Sequence, residues 1–331
     1  MSRLAPLTRL LVGLLLIAPL VAGAHPAAAQ ERPTTPTTVS FTFTGGYRGQ
    51  EAAAQILAHH DMQGTFYVSS RFIGLPAYLA GADLRSIAAS GSEIGGGTVS
   101  HRDLATMTDQ QVLHEICADR SILSSWGFPV TSLAYPHGSW SYAAQKAAQK
   151  CGYNSARGLA QLRVSNAHCS ACPPSESLPP LNAYELRTTS PRATVADIET
   201  VITHAQQSGG GWVLVAVDRV CRCSDHGDGS YTPEQFEQLV RWVSARPAVR
   251  VRTVNQVVGG PVRPAPLVSD ARITQAADIR RDDASPLSQR PAWTVLGVGI
   301  GQVQILFSGL LMATAVVGTY RVATRGSRYG R

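Results

Sequence analysis

Val39-Ser40-Phe41-Thr42-Phe43-Thr44-Gly45-Gly46 opens the folded part of this chain, and Gly64-Thr65-Phe66-Tyr67-Val68 follows it after a helical stretch from Gln50 to His60. Both runs are short, rich in β-branched and aromatic residues and bounded by glycine, which reads as buried strand. Further along, Asp109 to Trp126 has the pattern of a long amphipathic helix, Thr131 to Tyr135 of a strand, and Tyr142 to Cys151 of a helix closed by Gly152. Val195 to Gln207 reads as helix, Trp212 to Val217 as buried strand, and Val249 to Thr253 as strand. Thr232 and Pro233 open a helix through Val243 in the N-cap and N1 arrangement. Strands alternating with helices predict an α/β fold, a parallel sheet or barrel with helices outside, whose active groups gather at the C-terminal ends of the strands.

Outside this region the chain changes character. Residues 1–29 carry Arg3 and Arg9, an apolar run from Leu10 to Val21, and small residues through Ala29, the order of a secretory signal peptide. Cleavage after Ala29 or Ala24 is expected. Residues 30–37 form a Pro/Thr-rich leader, 38–259 the folded domain, and 260–292 a polar linker that mixes Pro, Asp and Arg without apolar periodicity. Trp293 to Tyr320 is uncharged and long enough to span a bilayer core of about 30 Å, with an aromatic residue at each end. Residues 321–331 carry four arginines and no acid, which the positive-inside rule places in the cytoplasm. The expected location is therefore a single-pass membrane protein with its domain outside. Gln302 and Gln304 within the span suit contact with a membrane partner.

Charge follows the same division. Of 29 Lys and Arg, six lie in the two membrane-directed ends, leaving 23 against 22 Asp and Glu. The domain is close to neutral, which gives no support to nucleic-acid binding. Cys117, Cys151, Cys169, Cys172, Cys221 and Cys223 are an even set in an exported chain, so disulfides are expected. Cys117 with Cys151, each on a helical stretch, is the first pairing, and the loop cysteines pair among themselves. His168 with Cys169 and Cys172, and the Cys221-Arg222-Cys223 run, keep a zinc site as the alternative by ligand type. The acidic loop from Ser224 to Gly229 lacks the twelve-residue calcium pattern and reads as a solvated turn.

The two opening runs, followed by Glu93-Ile94-Gly95-Gly96-Gly97-Thr98-Val99-Ser100-His101 and Ala134-Tyr135-Pro136-His137-Gly138, resemble in order and spacing the polysaccharide deacetylase family, the NodB-homology domain of carbohydrate esterase family four. The resemblance covers about Thr38 to Gly259 and implies an irregular (β/α) barrel. It also implies a divalent metal, zinc or similar, that polarises an acetamide carbonyl and activates water. Carried onto this chain, the base position falls on Thr44, the metal carboxylate on Gly45, the first metal histidine on Gly97 and the second on His101. The general-acid position falls on Asp218, and Ala134 stands where many members have an arginine that orients the base. Tyr135, Pro136, His137 and Trp140 correspond to the motif that lines the sugar groove.

Thr44 is no general base near neutral pH, and glycine offers no ligand. Full zinc sites are worth roughly 10–16 kcal/mol, of which His101 alone supplies one bond of three. No cofactor is expected unless other donors, among His59, His60, Asp61, Asp103, His137, Asp218 and His226, form an alternative set. If the barrel is otherwise intact, Thr44→Asp, Gly45→Asp and Gly97→His together are expected to rebuild a metal site. The resemblance thus implies a protein of the cell envelope that binds polysaccharide or peptidoglycan with impaired catalysis. An active hydrolase removing N- or O-acetyl groups with altered residues, and a structural ectodomain docking a protein partner, are the alternatives.

Overall fold

The computed structural model describes residues 36–163, 169, 171–223 and 229–266. The signal peptide, residues 30–35 of the leader, the spanning segment, the basic tail, His168, Ser170 and residues 224–228 lie outside the described residues, as does the linker beyond residue 266. The chain divides into units Met1–Ser285 and Pro286–Arg331, and all described residues fall in the first. Among them no helix is long and apolar enough to cross a membrane.

Strands and helices alternate as β1 (Thr37–Thr44), α1 (Gln50–His59), β2 (Thr65–Val68), α2 (Gly81–Ala89), β3 (Glu93–Gly96), α3 (Asp109–Ser125), β4 (Ser132–Ala134), α4 (Tyr142–Lys150) and β5 (Ser155–Gln161). They continue as β6 (Leu186–Thr188), α5 (Val195–Gln207), β7 (Gly211–Val217), β8 (Arg219–Val220), β9 (Ser230–Tyr231), α6 (Pro233–Ser244), β10 (Val249–Val251) and α7 (Val254–Val258). The expected elements are all present with ends shifted by at most two residues, whereas α2, β3, β5, β6, β8, β9 and α7 were not read as elements from the sequence.

Eight strands form one parallel sheet centred on β1. β7 pairs along nearly all of one edge of β1, from Thr37 opposite Gly211 to Phe43 opposite Val217. On the other edge β10 takes the first half and β2 the second. From β2 the order continues through β3, β4 and β5 to β6. The sheet curls until β6 returns to β7: the Thr189 N–H donates to the Leu214 carbonyl (2.9 Å) and the Ala216 N–H to Thr189 Oγ1 (3.1 Å).

The alternation in Val39–Thr44 sorts side chains between the two faces of this sheet. Val39, Phe41 and Phe43 face the helices in the main core, where Phe43 stacks on Phe66 with ring centroids 4.4 Å apart and Phe236 of α6 meets Phe41 edge-on at 5.5 Å. Ser40 and Thr42 face the barrel interior, where Ser40 Oγ accepts from Trp212 Nε1 (2.9 Å) and Thr42 Oγ1 donates to the Val215 carbonyl (2.8 Å). Trp212 packs there with Leu186, Leu214 and Val254 in a small second cluster. Capping follows the Thr232-Pro233 expectation: Thr232 Oγ1 accepts from the Gln235 N–H, and Gln235 Oε1 from the Thr232 N–H.

Two findings revise the domain edges. β1 begins at Thr37, and residues 260–266, expected as free linker, are strapped to the domain. Asn154 Nδ2 donates to the Gly259 and Pro261 carbonyls (3.1 and 3.2 Å), and the buried Arg120 guanidinium donates to the Arg263 and Pro264 carbonyls. The Cys117–Cys151 disulfide joins α3 to the end of α4 as expected, and Cys169–Cys172 and Cys221–Cys223 pair within their loops. The zinc reading of these cysteines therefore falls, because every thiol is committed to a bridge.

Cys117–Cys151 closes a loop of 34 residues, for which chain-entropy arguments give about 3–4 kcal/mol. The double substitution Cys117→Ser and Cys151→Ser is expected to lower unfolding free energy in urea by that amount, with m rising because the unlinked denatured chain exposes more surface.

Candidate functional site

The C-terminal ends of the strands converge on a small polar pit. Thr44 is the last residue of β1, Tyr67 stands on β2, Gly97 follows β3, Arg157 stands on β5 and Asp218 follows β7. Arg157 is wholly buried, and its Nη2 crosses the barrel interior to donate to Thr44 Oγ1. Its Nη1 donates to the Gly158 carbonyl (3.1 Å), and the guanidinium carbon lies 4.8 Å from the centroid of the Tyr67 ring. Arg157 is the register partner of Ala134 on the adjacent strand. The arginine that the resemblance places at position 134 is thus supplied from the strand next door and reaches the base position. Gln50 Nε2 donates to the carbonyls of both Thr44 and Asp218 (2.7 Å each), clipping the ends of β1 and β7 together.

His101 is held with φ of +52°, its N–H donating to Thr98 Oγ1 (3.2 Å), and its ring centroid lies 5.0 Å from that of His137 at 73°. His137 is likewise at positive φ, +56°. Thr98, at +69°, makes a third, and three non-glycine residues in the left-handed region within one site are strain that the surroundings must hold in place. Burial, then the neighbouring His137 and Arg157, push the His101 pKa down to about 4, so the imidazole is neutral at pH 7. Burial raises the Asp218 carboxyl above the usual carboxylate range, opposed by Arg157, Arg219 and His137. Beneath the pit the buried Asp119 of α3 accepts the N–H groups of Ser70 (2.9 Å) and Gly97 (3.1 Å), fixing the chain as it leaves β2 and β3. Burial lifts its pKa to about 7.

A divalent metal does not fit the positions that the resemblance assigns to it. Gly45 has φ of +91°, where a side chain is strained, and a Cβ there would lie 2.8 Å from the Tyr47 ring. That ring is fixed by Tyr78 stacked on it at 5.3 Å and by Arg219 at 4.6 Å. A Cβ at Gly97 would sit 3.1 Å from Ser69 Oγ and 3.2 Å from the Val68 carbonyl. Restoring the three side chains would therefore strain the backbone at Gly45, displace the Tyr47 ring and push Ser69 or the Val68 carbonyl aside by a few tenths of an ångström. Among the described residues no three His, Cys, Asp or Glu are arranged to hold a metal ion. Of the other donors considered, His59, His60 and Asp61 lie at the end of α1, which returns to the N-terminal ends of the strands, and His60 pairs there with Glu237 (2.7 Å). His226 lies outside the described residues.

The groove residues divide. Tyr135 is fully buried, with its hydroxyl donating to the Tyr184 carbonyl (3.1 Å), and Pro136 is buried beside it. Neither can touch a sugar, which corrects the sequence reading, because the chain is still within the barrel wall one residue past β4. His137 and Trp140 do reach the surface, Trp140 at 37% exposure, and Tyr142, which sequence reasoning passed over, is 72% exposed with Lys146 Nζ 5.2 Å from its ring. Arg157, Asp119, Gln50 and Tyr67 were missed as site residues.

Residues 31–156 match the family model described as polysaccharide deacetylase, ending one residue before Arg157. A Bacillus subtilis (strain 168) protein named "Putative polysaccharide deacetylase YxkH" is 26% identical over 126 residues, 38% of this chain and 45% of that protein. The match therefore spans less than half of that relative. Among solved structures, a "putative polysaccharide deacetylase from Mycobacterium smegmatis" superposes with a TM-score of 0.50 at 17% identity, covering 74% of this chain and 99% of that one. A structure described as a CE4 family pseudoenzyme from Bacillus anthracis gives a TM-score of 0.44 at 13% identity, over 69% and 66% of the two chains. The chain thus resembles the polysaccharide deacetylase family and shares its curled parallel-sheet fold.

The two shifted groups oppose each other in pH dependence. Asp119, raised from 3.8 to about 7, contributes stability that is present at low pH and lost as pH rises through about 7. His101, lowered from 6.5 to about 4, contributes stability present above 6.5 and lost as pH falls through about 4. Asp119→Asn is expected to remove a downward slope of order 1 kcal/mol per pH unit between pH 4 and 7, and His101→Gln an upward slope between pH 4 and 6.5. Urea unfolding across pH 4.5–8 checks both, with the change in slope as the readout.

Proposed function

We propose that this deacetylase-like chain binds cell-envelope polysaccharide or peptidoglycan without turning it over, and is held at the outer face of a membrane by residues 293–320. The observation that carries the reading is chemical: the positions for base and metal hold Thr44, Gly45 and Gly97, and a buried guanidinium reaches into them. An unreactive amide needs a polarising cation and an activated water, and neither has its residues here. The exposed Trp140, with His137 and Tyr142 nearby in sequence, supplies an aromatic rim of the kind on which sugar faces stack. The membrane tether suits a protein that acts by occupancy.

A second reading, a hydrolase with non-standard residues, is favoured by one observation. The Asp218 carboxyl, raised by burial and lying in the field of His137, stands where the family has its acid.

The full chain, purified in mild detergent, is expected to co-sediment with insoluble peptidoglycan or chitin and to release no acetate from an N-acetylated polymer. Trp140→Ala is expected to weaken binding about tenfold, or ~1.4 kcal/mol, while Leu181→Ala on the exposed 178–181 loop leaves it unchanged. Acetate release with turnover transfers the argument to the hydrolase reading. Failure to bind any glycan, with circular dichroism unchanged, removes the binding reading and leaves a protein-docking ectodomain.

A further inference from the structure

We infer that Arg157, and not a divalent metal, supplies the positive charge of the strand-end pit, and that its guanidinium keeps metal ions out. The inference stands on three independent observations. The first is placement. β5 and β1 are separated in the sheet by β2, β3 and β4, so Arg157 reaches Thr44 only by crossing the barrel interior. It lies wholly buried at the mouth, where the resembled enzymes concentrate their metal chemistry.

The second is compensation of the buried charge, which reaches the two terminal nitrogens while Nε has no hydrogen-bond partner among the described residues. A buried cation must be compensated by oriented oxygen or π density. Here Thr44 Oγ1, the Gly158 carbonyl and the face of Tyr67 are turned toward the guanidinium. Burial lowers the Arg157 pKa, and Tyr67 and then Asp218 oppose that shift in favour of the charged form. A metal entering the same pit would compete for these groups against a like charge that is never deprotonated. A guanidinium also has no vacant coordination position, so it offers no place for an activated water.

The third is space. Loss of ligands alone would leave room that water or a metal could take, but the Tyr47 ring covers Gly45, and Ser69 and Val68 wall in Gly97. What is left of the donor set is His101, whose buried Nε2 has no hydrogen-bond partner, with His137 beside it. Two imidazoles make a weak site, and Arg157 is close enough to His101 to act on it electrostatically.

The test is metal uptake by the full chain in detergent, stripped with chelator and equilibrated with cobalt(II) or zinc(II). Bound metal is measured by mass spectrometry after desalting, and coordination by the visible absorption of cobalt. Wild type and the variant Thr44→Asp/Gly45→Asp/Gly97→His are both expected to hold well under one metal per chain. Arg157→Gln, which removes the charge, is expected to raise cobalt affinity at least tenfold, and His101→Gln in that background to abolish the gain. Arg157→Lys, which keeps the charge, is expected to leave affinity at the wild-type level. Stoichiometric cobalt in wild type or in the ligand-restored variant overturns the inference, as does an Arg157→Gln chain that folds and gains nothing, or an Arg157→Lys chain that gains as much. If Arg157→Gln does not fold, Arg157→Met, which keeps the length of the side chain without its charge, takes its place with the same two outcomes, and stoichiometric cobalt in wild type overturns the inference by itself. The inference rests on the reading that this chain binds glycan without turnover: stoichiometric cobalt in wild type would remove the ground of both, whereas the Arg157→Gln and Arg157→Lys outcomes bear on Arg157 alone.

Discussion

A guanidinium carried across the inside of a barrel constrains everything around it. Moving a charge out of water is costly by several kcal/mol even after relaxation, and breaking such an arrangement by removing one partner typically costs about 3–5 kcal/mol. Arg157 therefore needs Thr44 at the end of β1, Tyr67 beneath it on β2 and the Gly158 carbonyl at its own strand to stay where they are. Gln50 extends this set by joining the carbonyl of Thr44 to that of Asp218, so that β1, β5 and β7 are tied at one height. The mouth of the barrel is closed from within, by chemistry that tolerates no shift of register.

The opposite end is closed by the opposite charge. Glu93, first residue of β3 and half-buried at the sheet's N-terminal end, accepts from the hydroxyls of Thr65 and Ser132 and from the Asn255 N–H (2.8 Å) at the start of α7. Burial raises its pKa, while those four donors, with Thr131 the weakest, pull it back. A carboxylate at a helix N-terminus also meets the positive end of the peptide dipoles. Between the two ends lies the apolar cluster of Trp212, Leu186, Leu214 and Val254. The interior is thus an acidic plug, an apolar layer and a basic plug, while the larger core sits outside, between sheet and helices. Stability and site geometry share the same side chains, so substitutions at the mouth act on both.

The contrast between β1 and β5 explains how far sequence could be read. Val39-Ser40-Phe41-Thr42-Phe43-Thr44 alternates cleanly because one face meets the helices and the other the barrel interior, so strand, direction and the importance of position 44 were all legible. Ser155-Ala156-Arg157-Gly158 has no apolar alternation, because its interior face carries a charge and its neighbours are small; nothing in it marks a strand or sets Arg157 apart. Its role exists only through β-pairing with Ala134 and a contact 113 residues away in sequence. Asp119 was hidden for a related reason: a single acid on a long helix looks solvated until the helix is packed. Tyr135 failed in the other direction, an aromatic in a rim motif that the barrel wall had already enclosed. The Cys117–Cys151 pairing was legible because both lay on helices that adjacent strands would bring together.

Charge balance links the substitutions to one another. In the pattern that the resemblance describes, two carboxylates at the positions of Thr44 and Gly45 face a doubly charged metal, with an arginine beside the base. Removing the metal alone would leave two buried anions against one cation. Removing the carboxylates alone would leave an uncompensated dication. Losing all three together changes the net charge by nothing and leaves the arginine, which here is Arg157 with Thr44 as a neutral acceptor and Asp218 as the carboxylate in its field. Once Thr44 and Gly45 are in place, a returning metal lacks the two carboxylates that faced it; once Tyr47 covers Gly45, a returning carboxylate must displace that ring. Each change thus blocks the reversal of the others, which is why the pit reads as a settled arrangement around a guanidinium rather than as a metal site missing its ligands.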